Sequence, residues 1–255
     1  MPIHRTYGWL PDLPDHRDHL YAAPSEILAK LPPRIDLRPG CPPVYDQGQL
    51  GSCTANAIAA AIQFEQQKQR IKVFMASRLF IYYNERDMEG AVDSDSGGQI
   101  RDGIKSIASL GACAESDWPY DIDKFADKPP QSCYVDAKNC EAVAYRRLVS
   151  TNLNQLKGCL ASGYPFVFGF AVFDSFESGA VAQSGQVDLP GADESSQGGH
   201  AVMAVGYDDS TQRFLVRNSW GPDWGLEGYF TIPYAYLTNT DLADDFWTVR
   251  VLKES

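Results

Sequence analysis

Cys53 stands where a thiol ionises readily. It follows Gln47-Gly48-Gln49-Leu50-Gly51-Ser52 and leads into TANAIAAAIQFEQQKQR over 54–70, a stretch rich in Ala and free of Gly and Pro. Ala57, Ile58, Ala61, Ile62 and Phe64 recur at helical spacing, which predicts a helix with one wide apolar face. Gly48 and Gly51 make a flexible approach, and Ser52 occupies an N-cap position. In the first turn of such a helix, unpaired N–H groups and aligned peptide dipoles favour a thiolate. That is the chemistry of a nucleophile. Read by itself, the stretch is equally compatible with a small buried packing residue.

A thiolate nucleophile needs a base, and the base needs a group that orients it. The chain has four histidines, and His200 opens a small, apolar, alternating run, Gly198-Gly199-His200-Ala201-Val202-Met203-Ala204-Val205-Gly206-Tyr207, that predicts a buried strand. Farther on, Phe214-Leu215-Val216-Arg217 predicts a second strand, ending in Asn218-Ser219-Trp220-Gly221. With Gln47, Gly51-Ser52-Cys53, Gly97-Gly98, His200-Ala201, Asn218-Ser219-Trp220-Gly221 and Trp224-Gly225…Gly228-Tyr229 in this order, the chain resembles the papain family of cysteine peptidases. The order Cys, His, Asn is that family's order. His200 and Asn218 lie somewhat farther downstream than usual, as an inserted loop before His200 would explain. Around the nucleophile, Leu50 replaces a family Cys and Thr54 a family Trp, so half of one family disulfide is missing.

The resemblance implies a catalytic set. Cys53 would be the nucleophile, His200 the acid and base, and Asn218 the group that orients His200. The side-chain amide of Gln47 and the backbone N–H of Cys53 would receive the oxyanion, and Trp220 would shield the His200–Asn218 contact. It also implies a substrate path along Gly97, Gly98, Gln99, Ile100 and Gly199. With Gly169 and Gly198 beside them, these small residues imply a roomy second subsite for a bulky apolar side chain. Endopeptidase activity is the leading expectation. Acyl transfer through the same thioester and an inactive peptide-binding module are the alternatives.

The 255 residues are 44% hydrophobic, enough for one good core or two smaller ones. A net charge of −11 without a Lys/Arg cluster argues against nucleic acid and anionic membranes as partners. Peptides or proteins are the expected substrates, acting on a monomer that needs no cofactor. Neither a secretory signal nor a membrane span is visible, so the cytoplasm is the default location, with signal-independent export open. Of the six cysteines, five remain beside Cys53, an odd number that excludes a full disulfide framework. Cys133 and Cys140 are near enough in sequence to close a short loop. His16 and His19, in a Pro-flanked acidic segment, are too weak a pattern for a metal site. Asp93-Ser94-Asp95 lacks the final Glu of a calcium loop, because Ile104 stands there. No metal site is expected.

The expected organisation is α+β, a papain-like two-lobed fold. Residues 1–30 form a Pro-interrupted N-terminal extension, 31–141 a mainly helical lobe carrying Cys53, and 142–255 a β-rich, barrel-like lobe carrying His200 and Asn218. Helices are predicted over 76–88, after Gly97-Gly98 up to a Gly111 C-cap, and over 152–162 with Asn152 as N-cap. Strands are predicted over 142–149, 166–173, 201–207, 213–218, 229–232 and 246–252. The segment 118–139 reads as irregular, and 181–197 as a mobile loop able to gate the cleft. Tyr7, Trp9, Leu10, Leu13 and Tyr21 are more apolar than an exposed tail needs. With Pro11 and Pro14 favouring an extended shape, they suggest an inhibitory segment lying across Cys53.

Overall fold

In the computed structural model, which describes residues 6–138 and 143–251, one antiparallel sheet provides the platform and one helix lies against it. The sheet uses β2 (Arg34–Asp36), β4 (Val143–Arg147), β5 (Phe166–Phe173), β6 (Ser196–Asp208), β7 (Arg213–Arg217), β8 (Tyr229–Pro233) and β9 (Ala243–Val251). Its order is β4-β9-β5-β6-β7-β8, with β2 paired to the far end of β6. β4 and β8 remain edges, so the sheet is open rather than closed into a barrel. A separate parallel pair joins β1 (Trp9–Leu10) to β3 (Gly98–Gln99), bringing the N-terminal segment to the cleft.

The helices are α1 (Ser25–Leu28), α2 (Cys53–Gln69), α3 (Arg78–Glu89), α4 (Ile100–Leu110), α5 (Gln131–Ala137), α6 (Leu153–Ala161), α7 (Gly179–Ser184) and α8 (Tyr234–Leu237). The Ala-rich sequence of α2 is buried on nearly every side, from Cys53 to Gln66. Short side chains let α3, α4 and the sheet approach it closely, and Ile58, Ile62, Ile81, Ile104, Val167, Met203 and Trp247 share one core with it. A second core on the other side of the sheet is built from Phe166, Phe168, Phe170, Phe214, Phe230 and Phe246. α2 therefore presents its first turn to the mouth of β6, with Cys53 and His200 on opposite walls of the cleft.

The predicted helices and strands recur with shifted ends. Asn152 caps α6 by accepting from Gln155 N, and Gly111 ends α4 at φ 80°. Ser52 does hold the N-cap position of α2 but makes no capping bond. Its hydroxyl bonds the Tyr120 hydroxyl instead, and its carbonyl and hydroxyl both accept from Asn56 Nδ2. The segment expected to be irregular contains α5, and the loop expected to be mobile contains α7 and the start of β6. Asp174 accepts from Ser195 N and Gln197 Nε2, and Glu194 from Ser175 N and Gly191 N, which ties that loop to the segment just after β5. Cys41, Cys53, Cys113, Cys133 and Cys159 are free thiols. The suggested partner Cys140 lies outside the described residues. Among the described residues no helix is long and apolar enough to cross a membrane.

Candidate active site

The loop before α2 is held from both sides. Arg78 on α3 pairs with Glu115 at 2.5 Å and donates to Asp46 O and Asn56 Oδ1. Arg217 on β7 donates to the carbonyls of Pro42 and Pro43. Between them Gln47 is 1% exposed, its Oε1 accepting from Ser219 Oγ at 2.6 Å and its Nε2 donating to Leu50 O at 3.0 Å. One hydrogen of the amide is thereby engaged and a second remains, since a primary amide has two.

Across the cleft, β6 carries His200 and the end of β7 leads into Asn218. His200 Nε2 lies 2.8 Å from Asn218 Oδ1. The same oxygen accepts from Ser219 N at 2.9 Å, which fixes it as the acceptor end of the amide. Nε2 must then carry the hydrogen, leaving Nδ1 as the ring nitrogen that exchanges a proton. Trp220 stacks on the imidazole with centroids 5.1 Å apart, and Phe170 and Phe176 pack against its other sides. His200 is fully buried.

Cys53 Sγ accepts a hydrogen bond from Ala201 N, the residue after His200, at 3.4 Å. Residues far apart in the chain thus meet at one point. Burial pushes the thiol up to about 12, and the backbone N–H groups of Ala201, Gly8 and Thr54 only partly oppose it. Below this helix start, Glu85 is wholly buried, and burial raises its carboxyl well above the ordinary range. Its Oε1 accepts from Thr54 Oγ1 at 2.6 Å.

The N-terminal segment is part of this site. Gly98 N donates to Gly8 O at 2.8 Å, and Trp9 pairs in parallel register with Gly98. The backbone approach is close: at Gly97, with φ +77°, a Cβ would fall 2.2 Å from Gly8 O. Tyr7 packs edge-on to His200 with centroids 5.9 Å apart, tilts against Trp220 and donates its hydroxyl to Glu177. Trp9 lies between Gly169 and Gly199, with its Nε1 donating to Asp245 Oδ2 at 3.0 Å.

Comparison with known proteins identifies the family. The model of the papain family cysteine proteases matches residues 31–247. The chain belongs to that family. It is 46% identical to xylellain, a cysteine protease from Xylella fastidiosa, whose crystal structure superposes with a TM-score of 0.92 over 98% of both chains. A peptidase C1-like protein of Acanthamoeba polyphaga mimivirus is 44% identical across 97% of this chain and 88% of its own length. Digestive procathepsin L 3 of Tenebrio molitor, 20% identical, shares the fold at a TM-score of 0.71 over 99% of this chain and 77% of that one. The protein is a papain-like cysteine protease with the papain-like fold.

Of the residues singled out in the sequence, Cys53, His200, Asn218, Gln47 and Trp220 come together. Gly97, Gly98 and Gly199 line the strip occupied by the N-terminal segment, and Gln99 accepts from Leu13 N through its side chain. Ile100 begins α4 and is fully buried, in the same core around α2 that includes Cys53 and against which Trp9 packs. Sequence reasoning overlooked Asp12 and Asp245. Both stand in acidic stretches that read as solvated surface, and only the fold buries them together. It also overlooked Ser219, although its place beside Asn218 made it a candidate to hold Gln47.

Proposed function

We propose that Cys53, His200, Asn218 and Gln47 carry out peptide hydrolysis, and that residues 7–10 hold the enzyme closed by lying across them in reverse. The observation that carries the first part is the shared geometry of the Cys53 thiol, the Ala201 amide and the His200–Asn218 pair. Proton transfer from the thiol to His200 Nδ1 would give the thiolate–imidazolium pair. The thiolate attacks the peptide carbonyl, and the oxyanion that forms takes hydrogen bonds from the Cys53 N–H and the second hydrogen of the Gln47 amide. His200 protonates the departing amine, leaving a thioester, and then takes a proton from the water that hydrolyses it. Asn218 Oδ1 holds Nε2–H throughout, so the imidazole keeps one tautomer and one orientation.

The second part is supported by the parallel pairing of Trp9 with Gly98 and by the N–H of Gly8 at the Cys53 thiol. Lying there as part of the same chain, the segment has an effective concentration on the order of millimolar, so modest contacts suffice to close the site. Its reversed direction and the prolines flanking it make it a poor substrate. The test is labelling of the full chain with an epoxysuccinyl peptide. Labelling confined to Cys53, loss of peptide cleavage in Cys53→Ala and a retained fold are expected. Inactivation through Cys41, Cys113 or Cys159 would identify a different nucleophile.

A further inference from the structure

The loop that ends at Cys53 is tied to the residues before Gly97-Gly98 through one carboxylate. Gly51 N donates to both oxygens of Asp95, each at 3.0 Å. Glycine makes that approach possible, since a Cβ on Gly51 would lie 2.9 Å from Oδ1. Oδ1 also accepts from the Tyr82 hydroxyl, and that hydroxyl accepts from Gly97 N at 3.2 Å. A carboxylate only accepts, so the one hydrogen of the phenol goes to Asp95 and a lone pair is left for Gly97. Arg86 on α3 steadies the arrangement. It is fully buried, donates to Val92 O at 2.7 Å and Ser94 O at 2.8 Å in the loop before Asp95, and lies 4.0 Å from the centre of the Tyr82 ring.

The tie falls on a single peptide group. The C=O of Leu50 and the N–H of Gly51 are the two ends of one trans peptide plane, so they point opposite ways. Leu50 O accepts from Gln47 Nε2 at 3.0 Å, while Gly51 N faces Asp95. The plane is thereby held at both ends. A charge-assisted bond at its N–H also polarises the peptide and strengthens its carbonyl as an acceptor. Leu50 stands where the family has a cysteine, so no disulfide holds this loop. Without Asp95 the plane is free to turn and Leu50 O leaves Nε2. The second hydrogen of the Gln47 amide, the one assigned to the oxyanion, then loses its fixed direction.

We infer that Asp95 is a positioning residue for peptide hydrolysis, aiming the Gln47 amide at the oxyanion through the Leu50–Gly51 peptide. The inference rests on the protease reading above and extends it to a group that touches neither thiol nor substrate. It is tested in the full chain carrying Trp9→Ala, which removes the indole that anchors the N-terminal segment. Two rates are read on each preparation. One is kcat/KM on a small peptide amide, whose cleavage builds an oxyanion. The other is alkylation of Cys53 by iodoacetamide, which displaces iodide at a saturated carbon and builds none. A change in docking of the segment enters both rates and cancels in their ratio. Deleting an oxyanion donor costs roughly 100- to 1000-fold, and here Ser219 still holds Gln47 Oε1, so Asp95→Ala should lower kcat/KM by about 10- to 100-fold and leave alkylation within about threefold. Asp95→Asn keeps an acceptor for Gly51 N and the size of the side chain, and should recover part of the loss. Added to Gln47→Ala, Asp95→Ala should cost less than about threefold, because residues that act through one another are not additive. No loss, equal losses in both rates, or an undiminished loss on top of Gln47→Ala would overturn the inference. Should the Trp9→Ala parent cleave no peptide, the side-chain amide resonances of Gln47 in the isotope-labelled chain decide. Their displacement in Asp95→Asn would support the positioning and count instead against the protease roles assigned above, and unmoved resonances would overturn it.

Discussion

At the scale of single residues, two opposing effects act on the Cys53 thiol, and their sizes decide the resting state. A helix N-terminus favours the anion by about 0.3–1 kcal/mol, less than one pKa unit. Full burial opposes it by about 3–5 units in the extreme. With Tyr7, Gly8 and Trp9 over the site, burial wins and the thiol is held near 12. Removing that cover should return the advantage to the helix terminus and His200. Gly169→Ala provides a one-atom test, because the new methyl would sit about where the Trp9 ring now lies. Overpacking of this kind costs roughly 1–3 kcal/mol, which predicts alkylation of Cys53 about 5- to 100-fold faster in the full chain. Gly169 has no left-handed backbone angle, so the strand itself should accept alanine, and any fall in melting temperature should not exceed that caused by removing the segment. An unchanged alkylation rate would mean that Trp9 does not restrain access to the thiol.

At the scale of elements, α2 was legible because its composition and spacing act locally, and β5 to β9 because runs of apolar residues between turns do the same. The cluster proposed to be catalytic was legible by family resemblance, which implied the roles that a lone Cys, His or Asn lacks. What escaped depends on pairing across the fold. β1 is two residues long and exists only because Gly98 and Gln99 lie beside it. Asp12 has no local signal, yet its Oδ1 accepts from Arg101 N at 3.1 Å and its Oδ2 from Trp247 Nε1 at 2.8 Å. Burial, then the charge of Asp245, pushes its carboxyl up to about 7, against the hydrogen bonds from Arg101 and Trp247 and the Arg101 charge. Asp245, which also feels Asp244 and Arg147, is raised as well. In an undocked segment Asp12 returns to about 3.9. Docking then takes up a proton between these values. The stability it adds is complete below about 4 and is lost as pH rises through 7, by up to about tenfold in the docking constant per pH unit. The ratio of Cys53 alkylation rates, wild type over Asp12→Asn, should therefore climb from about pH 4 to 7 and level off above, since thiol ionisation is common to both. A flat ratio across that range would dissociate the carboxyl pair from docking.

At the scale of the whole molecule, the N-terminal segment ties the helical side of the cleft to the sheet. Its hold continues well past the thiol. Arg101 on α4 donates to Leu13 O and pairs with Asp18 at 3.2 Å, while Arg147 on β4 lies 3.5 Å from the same carboxylate. Asp18 and Arg101 are 7% and 5% exposed, so one buried acid serves a cation from each side. Farther along, Tyr21 N donates to Arg147 O at 2.7 Å, and Ala23 N to Gln155 Oε1, also at 2.7 Å, on the rising side of α6. A segment that only occupied the cleft would need no contacts so far from Cys53. One that also fastens the two sides together should change stability when it is lost. A chain starting at Leu31 leaves Arg101, Arg147 and Asp245 without these partners, but opens them to water. The loss is therefore smaller than the roughly 3–5 kcal/mol of stranding a charge inside an intact buried pair. A lower denaturation midpoint should accompany faster labelling of Cys53 and higher kcat/KM on a small peptide. Measuring both properties on the same folded preparations separates the two roles. Lower stability with unchanged labelling would make the segment a brace that does not restrain the thiol, and faster labelling at equal stability would make it a plug alone. The predicted result is a change in both, because Trp9 and Asp12 share Asp245 and the cover over the thiol is continuous with the tie across the sheet.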